Sequence, residues 1–172
     1  MAESRLRALR INARELLRQP GLDKRIQVTI SAGELGVDDE RITGDVDVDL
    51  TATSTIDGVT IRGAVSMPWL TACRRCLVDV SGVATADVDE VYHDGTTTDD
   101  EAFELTGDQI DLSAVVREHV ILELPDDRLC REVCAGICPV CGTDLNTAPC
   151  DCDTSVRDER WAALDTFRPD PD

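Results

Sequence analysis

Eight cysteines fall into four close pairs, and their spacing offers the clearest chemistry in the chain. Cys73 and Cys76 enclose Arg74-Arg75, and Cys130 and Cys134 enclose Arg131-Glu132-Val133. Cys138 and Cys141 enclose Pro139-Val140, while Cys150 and Cys152 flank Asp151. One tight turn can aim such a pair of thiolates at a single point, which is half of what a tetrahedral zinc ion requires. Two pairs close an all-sulfur site with no open position. Cys138-Pro139-Val140-Cys141-Gly142 is the sharpest local signature. Proline stiffens its turn, and Gly142 admits the positive φ that points N–H groups at the sulfurs.

Cys150 and Cys152 lie close behind that knuckle, so the favoured grouping joins Cys138, Cys141, Cys150 and Cys152. Cys73, Cys76, Cys130 and Cys134 then form a second set that ties the end of a sheet to the C-terminal segment. The cofactor expected is zinc, as one or two structural ions. One site with spare cysteines has the same spacing as two, and an iron–sulfur cluster also takes four thiolates. Disulfides need an exported chain. A redox pair normally opens a helix, whereas Cys73 and Cys76 lie among strand patterns. Catalytic zinc keeps a solvent position and a general base. The two histidines are His93, in an acidic stretch, and His119, which reads as a core or boundary residue of a helix. Without a nucleophile elbow or phosphate loop either, the chain reads as no enzyme and as having no small-molecule substrate.

The elements that must position these sulfurs are mostly strands. From Lys24 to Tyr92 hydrophobic residues alternate with polar ones, as in Arg25–Ile30, Asp45–Leu50, Val59–Val65, and Leu77–Val80 leading into Val83–Tyr92. Period-two patterning predicts strands with one buried and one wet face, hence an antiparallel sheet or open barrel. Asp57-Gly58 is a hairpin turn between two of them. Leu9–Arg18 predicts a helix stopped by Gln19-Pro20-Gly21, with Arg10, Arg14 and Arg18 forming one stripe along it. Asp111–Leu124 predicts a helix capped by Asp111 and ended by Pro125, with Leu112, Val115, Val116, His119 and Val120 on one side. A last helix spans Asp158–Leu164, and Trp161 and Leu164 are expected to pack it back on the protein. The tail from Arg168 to Asp172 reads as frayed. The fold class expected is therefore α+β, with a few short helices and a C-terminal zinc-knuckle segment. Residues 1–124 form the β-rich domain and residues 125–172 the cysteine-rich segment.

Only 3% of the 172 residues are aromatic, which leaves few side chains to stack on unpaired bases. The net charge is −18, unevenly placed. Residues 1–30 hold seven Lys/Arg against three Asp/Glu, and the rest of the chain carries −22. Ten Asp/Glu crowd residues 87–111, where Gly95–Glu101 reads as a mobile acidic loop. A field of this sign repels phosphate and favours a basic partner. Neither a signal peptide nor a membrane-spanning run is evident, so the compartment expected is a reducing cytoplasm with no membrane partner.

Several motifs in order resemble the YceD family, named for accumulation of large-subunit ribosomal RNA. They are Cys73-Arg74-Arg75-Cys76-Leu77, Ile110-Asp111-Leu112, Leu122-Glu123-Leu124-Pro125, the run Cys130–Gly142, Leu145-Asn146, and Cys150-Asp151-Cys152. Ala13–Leu17 with Pro20-Gly21, and Asp158–Leu164, are similar to the family's two ends. The resemblance implies a bacterial or plastid factor needed for normal 23S rRNA levels, acting through large-subunit assembly. Members are often encoded beside a small zinc-binding large-subunit protein, which implies a ribosomal partner. With the charge, this favours a basic large-subunit protein over naked rRNA. The competing expectation is a zinc-stabilised protein-interaction adaptor without a ribosomal role.

Overall fold

In the computed structural model, residues 2–95, 102–154 and 159–167 are described. The alternating stretches become β2 (Asp23–Ile30), β3 (Val46–Ser54), β4 (Gly58–Ala72) and β5 (Asp79–His93). They form one sheet in the order β2-β3-β4-β5, extended by the short β6 (Phe103–Glu104), which runs parallel to β5. All other pairings in this sheet are antiparallel, and the sheet stays open rather than closing into a barrel. A two-stranded ribbon joins β1 (Arg10–Asn12) to β7 (Gln109–Asp111). The helices are α1 (Ala2–Ala8), α2 (Ala13–Leu17) and α3 (Ser113–Glu123), with 3-10 turns at Ala32–Leu35 and Glu159–Phe167.

One face of the sheet is the core. Val46, Val48, Leu50 and Ala52 of β3 are buried while Asp47 and Asp49 between them are exposed. The register sets Val48 beside Val28 and Val65, and Leu50 beside Ile26 and Gly63. Val115, Val116 and Val120 cover that face from α3, Leu112 from the position just before it, and Leu16 from α2. Each such side chain removed from water contributes about 1.5–3 kcal/mol. His119 lies within α3 at the edge of the core, its Nδ1 2.9 Å from the Val115 carbonyl and its Nε2 3.8 Å from Glu90. His93 is the last residue of β5, paired with Gly58 and Glu104. The hairpin turn spans residues 55–57, closed by the Thr55 N–H donating to Gly58 O at 2.8 Å. Gly58 itself opens β4, where a Cβ would stand 1.9 Å from the Tyr92 carbonyl oxygen.

Three local expectations change. The helix over Leu9–Arg18 is divided, because β7 supplies backbone partners that a helix would forgo. Ile11 pairs with Ile110 and is buried, and Asn12 then caps α2 by accepting the Glu15 N–H at 3.1 Å. The basic stripe is shortened with it: Arg10 moves to β1 and binds Asp111 at 3.0 Å, while Arg14, which binds Asp108, and Arg18 remain together at α2. The helix expected from Asp111 starts at Ser113. Asp111 ends β7, and its Oδ1 accepts from the N–H and hydroxyl of Ser113 at 3.0 and 2.6 Å. Trp161 and Leu164 do not pack inward, being 64% and 54% exposed, because the 3-10 turn presents them to solvent. Residues 96–101 of the acidic loop, Asp158 and the tail 168–172 lie outside the described residues. Among the described residues no helix is long and apolar enough to cross a membrane.

Candidate metal centre

β4 and β5 pair along their whole length, from Gly58 opposite His93 to Ala72 opposite Asp79. Their far ends form an arm beyond β3, flanked by residues 41–43. The Leu70 N–H donates to Arg41 O at 2.8 Å, and Thr43 N–H to Pro68 O at 3.1 Å. Gly82 lets Trp69 lie flat across the arm, since a Cβ there would stand 2.8 Å from the indole. Arg128 stacks on the same indole, 5.6 Å from the ring centroid. The arm ends in the loop that carries Cys73 and Cys76.

That loop is a knuckle. The Leu77 N–H donates to Cys73 O at 2.9 Å, and the Cys73 N–H to Val78 O at 2.8 Å. The Cys138 turn repeats the pattern, with Gly142 N–H on Cys138 O at 2.9 Å and Cys138 N–H on Thr143 O at 2.8 Å. Gly142 has φ 74°, and Leu77 holds the matching place at φ 62°. The sequence disguised this first knuckle, because leucine stands where glycine is expected and extends an apparent strand pattern. Strand β5 starts only at Asp79. A left-handed leucine is strained by about 1–2 kcal/mol, and this side chain is 62% exposed, so its packing compensates little. Leu77→Gly is therefore expected to leave the protein as stable or up to about 1 kcal/mol more stable in urea unfolding. A loss above about 1 kcal/mol would contradict the strain.

Segment 126–137 is laid against the arm by a set of directed bonds. Arg41 reaches Asp126 at 2.7 Å and the Pro125 carbonyl at 3.1 Å while held by Asp39. Arg74 N–H donates to Arg128 O at 3.1 Å, and Ile137 N–H to Arg75 O at 3.1 Å. The Arg75 guanidinium donates to the Cys134 carbonyl at 2.9 Å. Gly136, at φ 79°, permits this approach, because a Cβ would stand 3.1 Å from Arg75 O.

The eight sulfurs gather in two quartets. Cys73, Cys76, Cys130 and Cys134 form one, and Cys138, Cys141, Cys150 and Cys152 the other, each with all sulfurs within 4.8 Å of one another. This is the grouping that proximity in sequence favoured. All eight are free thiols. Cys73 Sγ lies 3.8 Å from Cys134 Sγ, and Cys76 Sγ 3.5 Å from Cys130 Sγ. Four sulfurs at zinc-bonding distance from one ion stand about 3.8 Å apart, so the donor set fits a single tetrahedral ion. Quartets this tight leave no space for a multi-iron core. Cys73, Cys134 and Cys138 are buried, and His93 and His119 belong to neither quartet.

Ionisation within each quartet is uneven. Burial resists charge on Cys73, but N–H groups of Cys76, Arg75 and Cys130 outweigh it and bring the thiol down to about 6. Thr143, whose hydroxyl is 3.2 Å from Cys141 Sγ, leads the groups that bring Cys141 down to about 6. Cys130 is pushed up to about 12 by desolvation and by the sulfurs around it. Cys152 is pushed up to about 12 chiefly by Cys141, then by desolvation. Like charges cannot all form in so small a space unless a cation compensates them, and a divalent ion does so.

The protein is thus of the α+β class, an open, mostly antiparallel sheet that carries two four-cysteine clusters able to hold metal. The model of the YceD family, described as large ribosomal RNA subunit accumulation protein YceD, matches residues 61–168, and the chain belongs to that family. An uncharacterized protein of Mycobacterium tuberculosis (strain ATCC 25618 / H37Rv) is 35% identical over 125 residues, covering 69% of this chain. The matched stretch spans 60% of that relative's length. An uncharacterized protein of Mycobacterium leprae is 29% identical over 163 residues, covering 89% of this chain and 75% of the relative. The chloroplastic YCED homolog 1 of Arabidopsis thaliana, a large ribosomal RNA subunit accumulation protein, is 35% identical over 60 residues. That match covers 35% of this chain and 19% of the plant protein. No solved structure matches the chain.

Proposed function

We propose that this chain is a non-catalytic, zinc-stapled cytoplasmic factor for 23S rRNA accumulation and large-subunit assembly. Residues 1–124 act as its β-rich domain, and residues 125–172 as its zinc-binding segment. All eight cysteines are ligands in this reading, as two structural ions that fix shape and leave no open coordination position. The observation that carries the ribosomal part is the family match over residues 61–168. The two sulfur quartets support zinc.

The direct partner in this reading is a basic large-subunit protein. The charge of −18 favours it. So does the engagement of three arginines that could otherwise meet phosphate: Arg10 with Asp111, Arg14 with Asp108, and Arg74 with Asp127. RNA affinity comes largely from neutralised phosphates, and paired arginines release fewer counterions.

Depleting the protein in growing cells is expected to lower 23S rRNA and large subunits relative to small ones. Affinity purification of the full chain should recover a basic large-subunit protein after nuclease treatment. Unchanged subunit profiles would favour an adaptor without a ribosomal role. Recovery lost on nuclease treatment would shift the contact to rRNA.

A further inference from the structure

Asn146 belongs to neither quartet, yet its contacts join them. It lies in the chain between Cys141 and Cys150, within the loop of the second quartet. Its side chain nevertheless reaches the first: Nδ2 donates to Cys134 Sγ at 3.4 Å. Oδ1 accepts the Ala135 N–H at 2.7 Å and Arg131 Nε at 3.2 Å, fixing the chain beside Cys134. From its own loop, Asn146 is held by Asp144, whose Oδ1 accepts both the Asn146 N–H at 2.9 Å and Nδ2 at 2.6 Å. The backbone closes the same link. Leu145 N–H donates to Gly136 O at 2.9 Å, and Ile137 bridges Asp144. An Asx turn at Asp144 accounts for the local bonds alone; it does not require the amide to reach Cys134 and Ala135.

We propose that Asn146 couples the two quartets, so that an ion held by Cys138, Cys141, Cys150 and Cys152 raises the affinity of Cys73, Cys76, Cys130 and Cys134 for theirs. The inference rests on both quartets binding metal as proposed above. An N–H donor on a ligating sulfur fixes its direction and tempers its charge, and such outer partners commonly change metal affinity 10- to 100-fold. Here the donor is usable only when residues 142–150 are ordered. Those residues bury no large apolar side chain, so the second ion is what orders them. With it in place Asn146 is already set against Cys134, and the first quartet closes without that entropic cost. Linkage makes the effect reciprocal.

The test uses the full chain at buffered free zinc, with the Leu77 and Gly142 amide NMR signals reporting one quartet each. Wild type is compared with Cys150→Ser plus Cys152→Ser, with Asn146→Ala, and with all three substitutions together. Disabling the second quartet is expected to weaken the first about tenfold or more, and Asn146→Ala to do likewise with both quartets intact. The combined form should lose no more than about threefold beyond either alone, the mark of one shared interaction. Asn146→Asp keeps the acceptor for Ala135 and removes the donor to sulfur, so it too should weaken the first quartet. A first quartet indifferent to Cys150→Ser with Cys152→Ser, losses that multiply, or wild-type affinity in Asn146→Asp would each overturn the coupling. Two ions bound independently would end the coupling alone, whereas no zinc response at either signal would end the metal reading beneath it.

Discussion

Stripping metal from the full chain with a strong chelator is expected to unfold residues 125–154 and leave β2 to β5 intact. The buried residues of that segment are Pro125, Cys134, Gly136 and Cys138. Val133 and Val140 point outward, and Leu129, Ile137 and Leu145 are only half-buried. A segment without an apolar core cannot offset the backbone entropy of ordering, roughly 1–2 kcal/mol per residue. In the zinc reading proposed above, metal supplies the difference, since a structural zinc site contributes on the order of 10 kcal/mol in zinc-finger peptides. The sheet has its own core on the opposite account, with Leu50, Ile61, Val59 and Val46 fully buried. Hydrogen exchange resolves the two. The N–H groups of Cys138, Gly142 and Leu145, bonded to Thr143, Cys138 and Gly136, should lose protection on chelation. Those of Val48 and Leu50 should keep it. Full protection of the segment in metal-free protein would sink the zinc reading.

Leu50→Ala is expected to destabilise the sheet by about 3 kcal/mol, read as a lower urea midpoint. Leu50 is fully buried at the middle of β3, with Ile26 on one side and Gly63 on the other. Gly63 cannot fill the space left behind. At φ 148° it brings the strands so close that a Cβ would stand 2.1 Å from the Asp49 carbonyl oxygen. The cavity therefore stays, and its lining loses contacts. Asp49→Ala is the control one residue away, on the wet face. It removes a solvent-screened ion pair with Arg25 at 2.8 Å, so a shift of the urea midpoint far smaller than that of Leu50→Ala is expected. Equal losses at the two positions would mean that the sheet does not bury the face described.

Period two in the sequence determined β2, β3, the first half of β4 and most of β5, because a residue's face follows from its parity alone. Val46-Asp47-Val48-Asp49-Leu50 admits one register face toward the core, whatever lies opposite. Pair spacing likewise determined which sulfurs can share a turn, since Cys138 to Gly142 is a local device. Tertiary structure decided what depends on a distant partner. β7 turned residues 10–12 from helix to strand, and Asp111 and Asp108 took up Arg10 and Arg14. Sequence could not show that Leu77 occupies a left-handed position, because only the Cys73 and Val78 bonds impose it. Nor could it show the fifteen-residue strand β4 that carries Cys73 out to Cys134, or bring Asn146 to the other quartet's sulfur. Parity and tight turns are set within a few bonds of the chain, whereas these contacts join residues that only packing makes neighbours.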